Sequence, residues 1–227
     1  MTELINFEDK PVISITQLCE MILPLPKNSV LFGMAEEKPI LFSVTNKETP
    51  NTIVWDRLAG QGLRLIKTAI EFILRFHVGK KLEFVVMSNH TKEWERLNEN
   101  GLGVWSKNEC IAIVPFWDVV ADQVLFGMAK WVQEAMIANS PVILFVDGLE
   151  NLGKMSEESQ RWFHFISMYG RRKNIYVVVT AKSESRVAMN KWTEGFQAEI
   201  FGHNKIEWFE MDEKHGTTVF FTPNTSI

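Results

Sequence analysis

The chain has 227 residues, 46% hydrophobic and 23% charged, enough apolar content for one sizeable core and too much for a chain disordered over most of its length. Its formal net charge of −4 speaks against a surface built throughout to grip phosphates, and its two cysteines, outside any CxxC pair, exclude a zinc ribbon or disulfide framework, so Cys19 and Cys110 read as reduced thiols. No run approaches the ~20 apolar residues of a membrane span, and the acidic opening MTELINFEDK is not a signal peptide, so the expectation is a cytoplasmic protein without membrane insertion.

Residues 1–28 read as a lead-in and 29–227 as one domain. A helix over Ile13–Leu23 is stopped by Pro24 and Pro26. Val30–Phe32 and Pro39–Val44 form a hairpin about the turn Met34–Lys38. From Asn51 strands and helices alternate. Thr52–Trp55 is a strand. Gly62–His77 is a helix with Leu63, Ile66, Ile70, Ile73 and Phe76 on one face. Leu82–Met87 is a strand apolar on both faces, Thr91–Asn98 a short helix and Cys110–Val114 a strand. Asp118 caps a helix reaching about Ala138; Pro141–Val146 is a buried strand; Ser156 caps a helix to Tyr169 that Gly170 ends. Ile175–Val179 is a β-branched strand, Ser183–Lys191 a short helix, and Phe196–Phe201 and Thr217–Phe221 closing strands. The alternation predicts an α/β fold, a mostly parallel sheet with helices on both faces and a small N-terminal hairpin. Ligands of such sheets bind beyond the carboxyl ends of the strands, which directs attention to the residues after Trp55, Met87, Val114, Val146 and Val179.

The first of these segments, Arg57–Arg64 (RLAGQGLR), stands where a phosphate loop would read G-x-x-x-x-G-K-[ST]. Gly60 and Gly62 keep two glycines around Gln61. The first glycine is Arg57, the lysine is Leu63 and the hydroxyl residue is Arg64. Leucine brings no charge to a triphosphate, and arginine, a donor only, cannot ligate Mg²⁺. The second segment, VILFVD, ends in Asp147 at the place of a Walker B carboxylate, with Gly148 where motor ATPases carry a water-activating Glu and Glu150 two residues late. The third ends in Thr180, placed to sense a γ-phosphate or simply to end its strand.

In this order and spacing the three elements resemble the FtsK/HerA branch of P-loop motor ATPases. The likeness extends to the hairpin Leu31–Phe42, to Val142–Leu152 (VILFVDGLENL), to Gly170–Thr180 (GRRKNIYVVVT) and to Trp192–Gly202 (WTEGFQAEIFG), covering roughly residues 30–222. The resemblance implies a RecA-like core, ring or stacked assembly, and partnership with DNA or protein transport machinery. The degenerate ATPase modules of EccC-type secretion motors are a similar case.

Arg171, Arg172 and Lys173 form the compact basic cluster, read either as a helix C-terminus favoured by its dipole or as a phosphate or inter-subunit contact. Of the eight tryptophans, Trp55, Trp94, Trp105, Trp117 and Trp131 are expected to pack the core and interfaces or to form a docking surface. The five histidines show no metal spacing. The leading expectation is a non-catalytic ATPase-like module acting through assembly with protein partners, a homologous active ATPase module or further copies of itself, with no cofactor. The first alternative is an active atypical motor using ATP and Mg²⁺. There Arg64 or a neighbouring subunit would replace the lysine, and Asp147 and Glu150 would be catalytic. The second is a DNA-binding accessory protein relying on Arg171–Lys173.

Overall fold

Apolar runs rich in Val, Ile and Phe are stable only when both faces of a strand are covered, and the chain supplies helices for each face. The computed structural model describes residues 14–22, 24, 28–35, 38–44, 49–76, 82–94, 110–134, 140–213 and 216–223. The strands are β1 (Ser29–Ala35), β2 (Lys38–Ser43), β3 (Thr52–Asp56), β4 (Glu83–Ser88), β5 (Cys110–Val114), β6 (Val142–Asp147), β7 (Ile175–Lys182), β8 (Ala198–Gly202), β9 (Trp208–Glu213) and β10 (Gly216–Phe221). The helices are α1 (Ile15–Met21), α2 (Gln61–Phe76), α3 (Val119–Gln133), α4 (Leu149–Leu152), α5 (Glu157–Tyr169) and α6 (Asn190–Thr193).

All ten strands join one sheet in the order β2-β1-β10-β9-β8-β3-β7-β6-β4-β5. The stretch from β8 to β5 is parallel throughout, as the βα alternation requires. The N-terminal hairpin β1–β2 is attached through β10 and β9, all antiparallel.

Alternate side chains of the central strands divide between two cores. Val54, Phe84, Val86, Ile143, Phe145, Tyr176 and Val178 face α2 with its Leu65, Ile66, Ala69, Ile70 and Ile73. Ile53, Trp55, Val85, Met87, Leu144, Val146, Val177 and Val179 face α3 and α5. Each such side chain fully removed from water contributes about 1.5–3 kcal/mol. α1 packs through Ile15 and Leu18 on Leu31, Phe72 and Trp208. No described helix is long and apolar enough to cross a membrane.

Both predicted caps are present. Asp118 Oδ1 accepts from the amide of Val120, and Ser156 Oγ from that of Ser159. Two expectations need correction. The helix read over Ser183–Lys191 is a 3-10 turn, Ser183–Ser185, then further turns before α6. The segment has no apolar stripe to bury, and Val187 is left 89% exposed. β9 was not expected, because its acidic residues mask a strand whose Trp208 and Phe209 are buried. Parts of other readings lie outside the described residues: Ile13, Leu23, the Met34–Lys38 turn at 36–37, His77, 95–98, Trp105, 135–138, and the side chains of Cys19 and Cys110.

Candidate functional site

β3 ends in Asp56 and α2 begins at Gln61, so the four-residue turn between them brings backbone N–H groups and the positive end of a helix to the carboxyl edge of the sheet. Gly60 takes a left-handed φ of 85°, which turns the chain into the helix. Such a turn is an anion cradle, and here the chain's own oxygens fill it. Asp56 Oδ1 accepts from the amide of Gly62 at 2.7 Å. Gln61 Oε1 accepts from the amides of Arg57 at 2.9 Å and Leu58 at 2.7 Å. The Gln61 amide nitrogen donates to the carbonyls of His203 and Lys205, both at 2.9 Å, fastening the turn to the connection between β8 and β9. Gln61 is fully buried. The packing around Gly62 is close. A Cβ there would lie 2.5 Å from Thr180 Cγ2 and 2.6 Å from Asp56 Oδ1.

Burial pushes the Asp56 carboxyl up to about 7; the Gly62 amide pulls it down, and the nearby charges of Asp147 and Glu150 push it up further. Leu63 packs against the core on the α2 face of the sheet. Arg64 turns to the chain's C-terminal side, where Nε donates to Thr222 Oγ1 at 2.9 Å and a terminal nitrogen to the Pro223 carbonyl at 3.4 Å. Burial lowers its pKa, while the charge of Glu207 acts in the opposite sense.

Beside the turn, at the end of β6, Asp147 is buried and its oxygens are engaged. Oδ2 accepts from Ser88 Oγ at 2.6 Å and lies 2.9 Å from His90 Nδ1, while Oδ1 accepts from Thr180 Oγ1 at 3.3 Å. Thr180 Oγ1 in turn accepts from the Gly148 amide at 2.8 Å. Gly148 has φ 94°, a conformation side chains rarely adopt, and a Cβ there would lie 2.8 Å from Asn151 Nδ2. The position where motors carry Glu is thus shaped for glycine. Glu150 Oε1 accepts from the Lys182 amide at 2.5 Å.

The structure therefore brings Gly60, Gln61, Gly62, Asp147, Glu150 and Thr180 to one edge, and directs Arg64 away from it along the α2 surface. Arg171, Arg172 and Lys173 sit in a 3-10 turn before β7, at the amino end of the strand whose carboxyl end carries Thr180, and so do not reach this edge. Asp56, Ser88 and His90 were not singled out from sequence, although they follow Trp55 and Met87 at strand ends already marked as ligand positions. Among the described residues no group of three or more His, Cys, Asp or Glu side chains is arranged to hold a metal ion.

No family model matches the chain, and no curated protein matches it. Solved structures do. The cytoplasmic domain of EssC aligns with a TM-score of 0.67 at 12% identity over 95% of this chain and 48% of that one. Thermomonospora curvata EccC, ATPases 2 and 3 in complex with a signal sequence peptide, aligns at 0.67 and 13% over 96% and 44%. The pCW3 conjugation coupling protein TcpA, with ATPγS, aligns at 0.61 and 11% over 87% and 66%. The chain spans just under half the length of the EssC and EccC chains it matches. At these identities the likeness speaks for the fold: this chain is built as the RecA-like ATPase domains of the EssC and EccC secretion proteins are built.

Proposed function

We propose that the chain is a non-catalytic ATPase-like module of the FtsK/HerA type, acting in the cytoplasm through assembly or partner binding in a translocation or secretion machine. One observation carries the reading: the turn is closed by its own side chains, Gln61 Oε1 accepting from the amides of Arg57 and Leu58 and Asp56 Oδ1 from that of Gly62, the glycine that a phosphate loop would place against nucleotide. A Mg²⁺-triphosphate does not fit these residues. Its terminal phosphates would have to displace both oxygens, without a lysine, in a setting already crowded by the carboxylates of Asp56, Asp147 and Glu150. No catalytic step is assigned to the turn. Restricted to binding and assembly, the module would work beside a homologous, active ATPase module, a partnership supported by neighbours that are themselves multi-ATPase chains.

The experiment is calorimetric titration of the chain with Mg²⁺·ATP at millimolar nucleotide, paired with a phosphate-release assay. Neither saturable heat nor turnover is expected; tight binding with multiple turnovers overturns the proposal. The retained Gly60 and Gly62, with the buried Asp147–Ser88–Thr180 network beside them, favour an active atypical motor. That reading requires turnover abolished by Asp147→Ala.

A further inference from the structure

The basic cluster left unused by the candidate site borders a recess of its own. A cavity of about 280 Å³ lies where α3 meets the end of α5, lined by Val132, Gln133, Phe165, Tyr169, Arg172 and Lys173. It opens at the amino edge of the parallel strands, across the sheet from Asp56 and Asp147. Its walls combine two chemistries. Val132 is buried, Phe165 half-buried and Tyr169 43% exposed, which gives an apolar recess with an aromatic lip. Over that lip stands the Arg172 guanidinium, 6.0 Å from the Tyr169 ring centroid.

The three cations of the cluster are not equivalent. Arg171 is used inside the fold, donating to the Thr49 carbonyl at 3.0 Å. Arg172 and Lys173 form no ion pair with any described residue. Glu134, the residue that caps the C-terminus of α3, pairs with Lys130 at 3.5 Å. Placement at the end of α5 accounts for positive charge there, through the helix dipole, but not for an open aromatic recess beside it.

We propose that this recess docks an acidic peptide segment of a partner protein, with one large apolar side chain seated against Val132 and Phe165 and flanking Asp or Glu residues on Arg172 and Lys173. Charge complementarity selects the occupant. A nucleic acid would meet the same two cations, but its affinity grows with the number of phosphates neutralised and two cations are few for it, whereas an apolar anchor flanked by two acids uses both the recess and its cations.

The test is selection of a displayed random peptide library on the full chain, followed by fluorescence anisotropy of the selected peptide made synthetically. The expected consensus is one aromatic or aliphatic anchor flanked by at least two acids, with binding that weakens as salt rises. Arg172→Glu with Lys173→Glu should weaken it tenfold or more. Tyr169→Ala, at a position 43% exposed, should weaken it several-fold. Circular dichroism and thermal melting confirm folding of both variants. No consensus, a consensus without acids, binding unchanged in the two variants, or tighter binding of a single-stranded oligonucleotide than of the peptide each overturns the proposal.

Discussion

Replacing Gln61 by Ala removes the side chain that holds the turn closed. Four hydrogen bonds end on it, two accepted from the amides of Arg57 and Leu58 and two donated to the carbonyls of His203 and Lys205. At about 1 kcal/mol net each, their loss amounts to ~4 kcal/mol. Arg57, Leu58 and Lys205 are exposed enough for water to reach the freed groups, which reduces the expected destabilisation to about 2–3 kcal/mol. For a chain of this size that is a fall in Tm of roughly 5–10 °C. Gln61→Glu keeps the acceptor but turns a carboxylate toward two carbonyl oxygens, and should be at least as destabilising. Urea unfolding followed by tryptophan fluorescence measures both. A change below about 0.5 kcal/mol for Gln61→Ala, the size of an ordinary surface substitution, would refute the view that this side chain organises the turn.

Asp56→Asn should flatten the pH dependence of stability. With the folded carboxyl near 7 and an ordinary value of 3.8, this group's contribution is fully present below about pH 4 and is lost as pH rises to about 7. The variant should therefore be the more stable at pH 8, by on the order of 1 kcal/mol, as read from melts across pH. Gly62→Ala places a methyl against Thr180 and Asp56 and should cost about 1–3 kcal/mol in urea unfolding. Leu63→Lys with Arg64→Ser restores the lysine and hydroxyl of the motor signature, with Arg57 still in place of its first glycine, yet should yield no calorimetric binding of Mg²⁺·ATP, since the turn's amides stay engaged. It should also lose about 1 kcal/mol with the Arg64–Thr222 contact.

The central fold was legible because its signals are local. Runs such as VILFV and the 3.6-residue spacing from Leu63 to Phe76 declare their burial without outside help. The candidate site was legible only in outline. The glycines and Asp147 could be placed by spacing, but Asp56 reads in sequence as a strand terminus, and Gln61 as an arbitrary residue between glycines. What makes them matter is tertiary. Gln61 reaches carbonyls 142 and 144 residues away, and Arg64 is drawn aside by Thr222, 158 residues away. β9 escaped for a related reason, since its pairing with β8 and β10 outweighs a composition that does not announce a strand.

The most direct measurement is an amide NMR titration of the isotope-labelled chain with Mg²⁺·ATP, following the resonances of Arg57, Leu58 and Gly62. The account predicts that all three stay where they are at millimolar nucleotide, because their protons are already held by Gln61 and Asp56. A concerted, saturable shift of the three would contradict it.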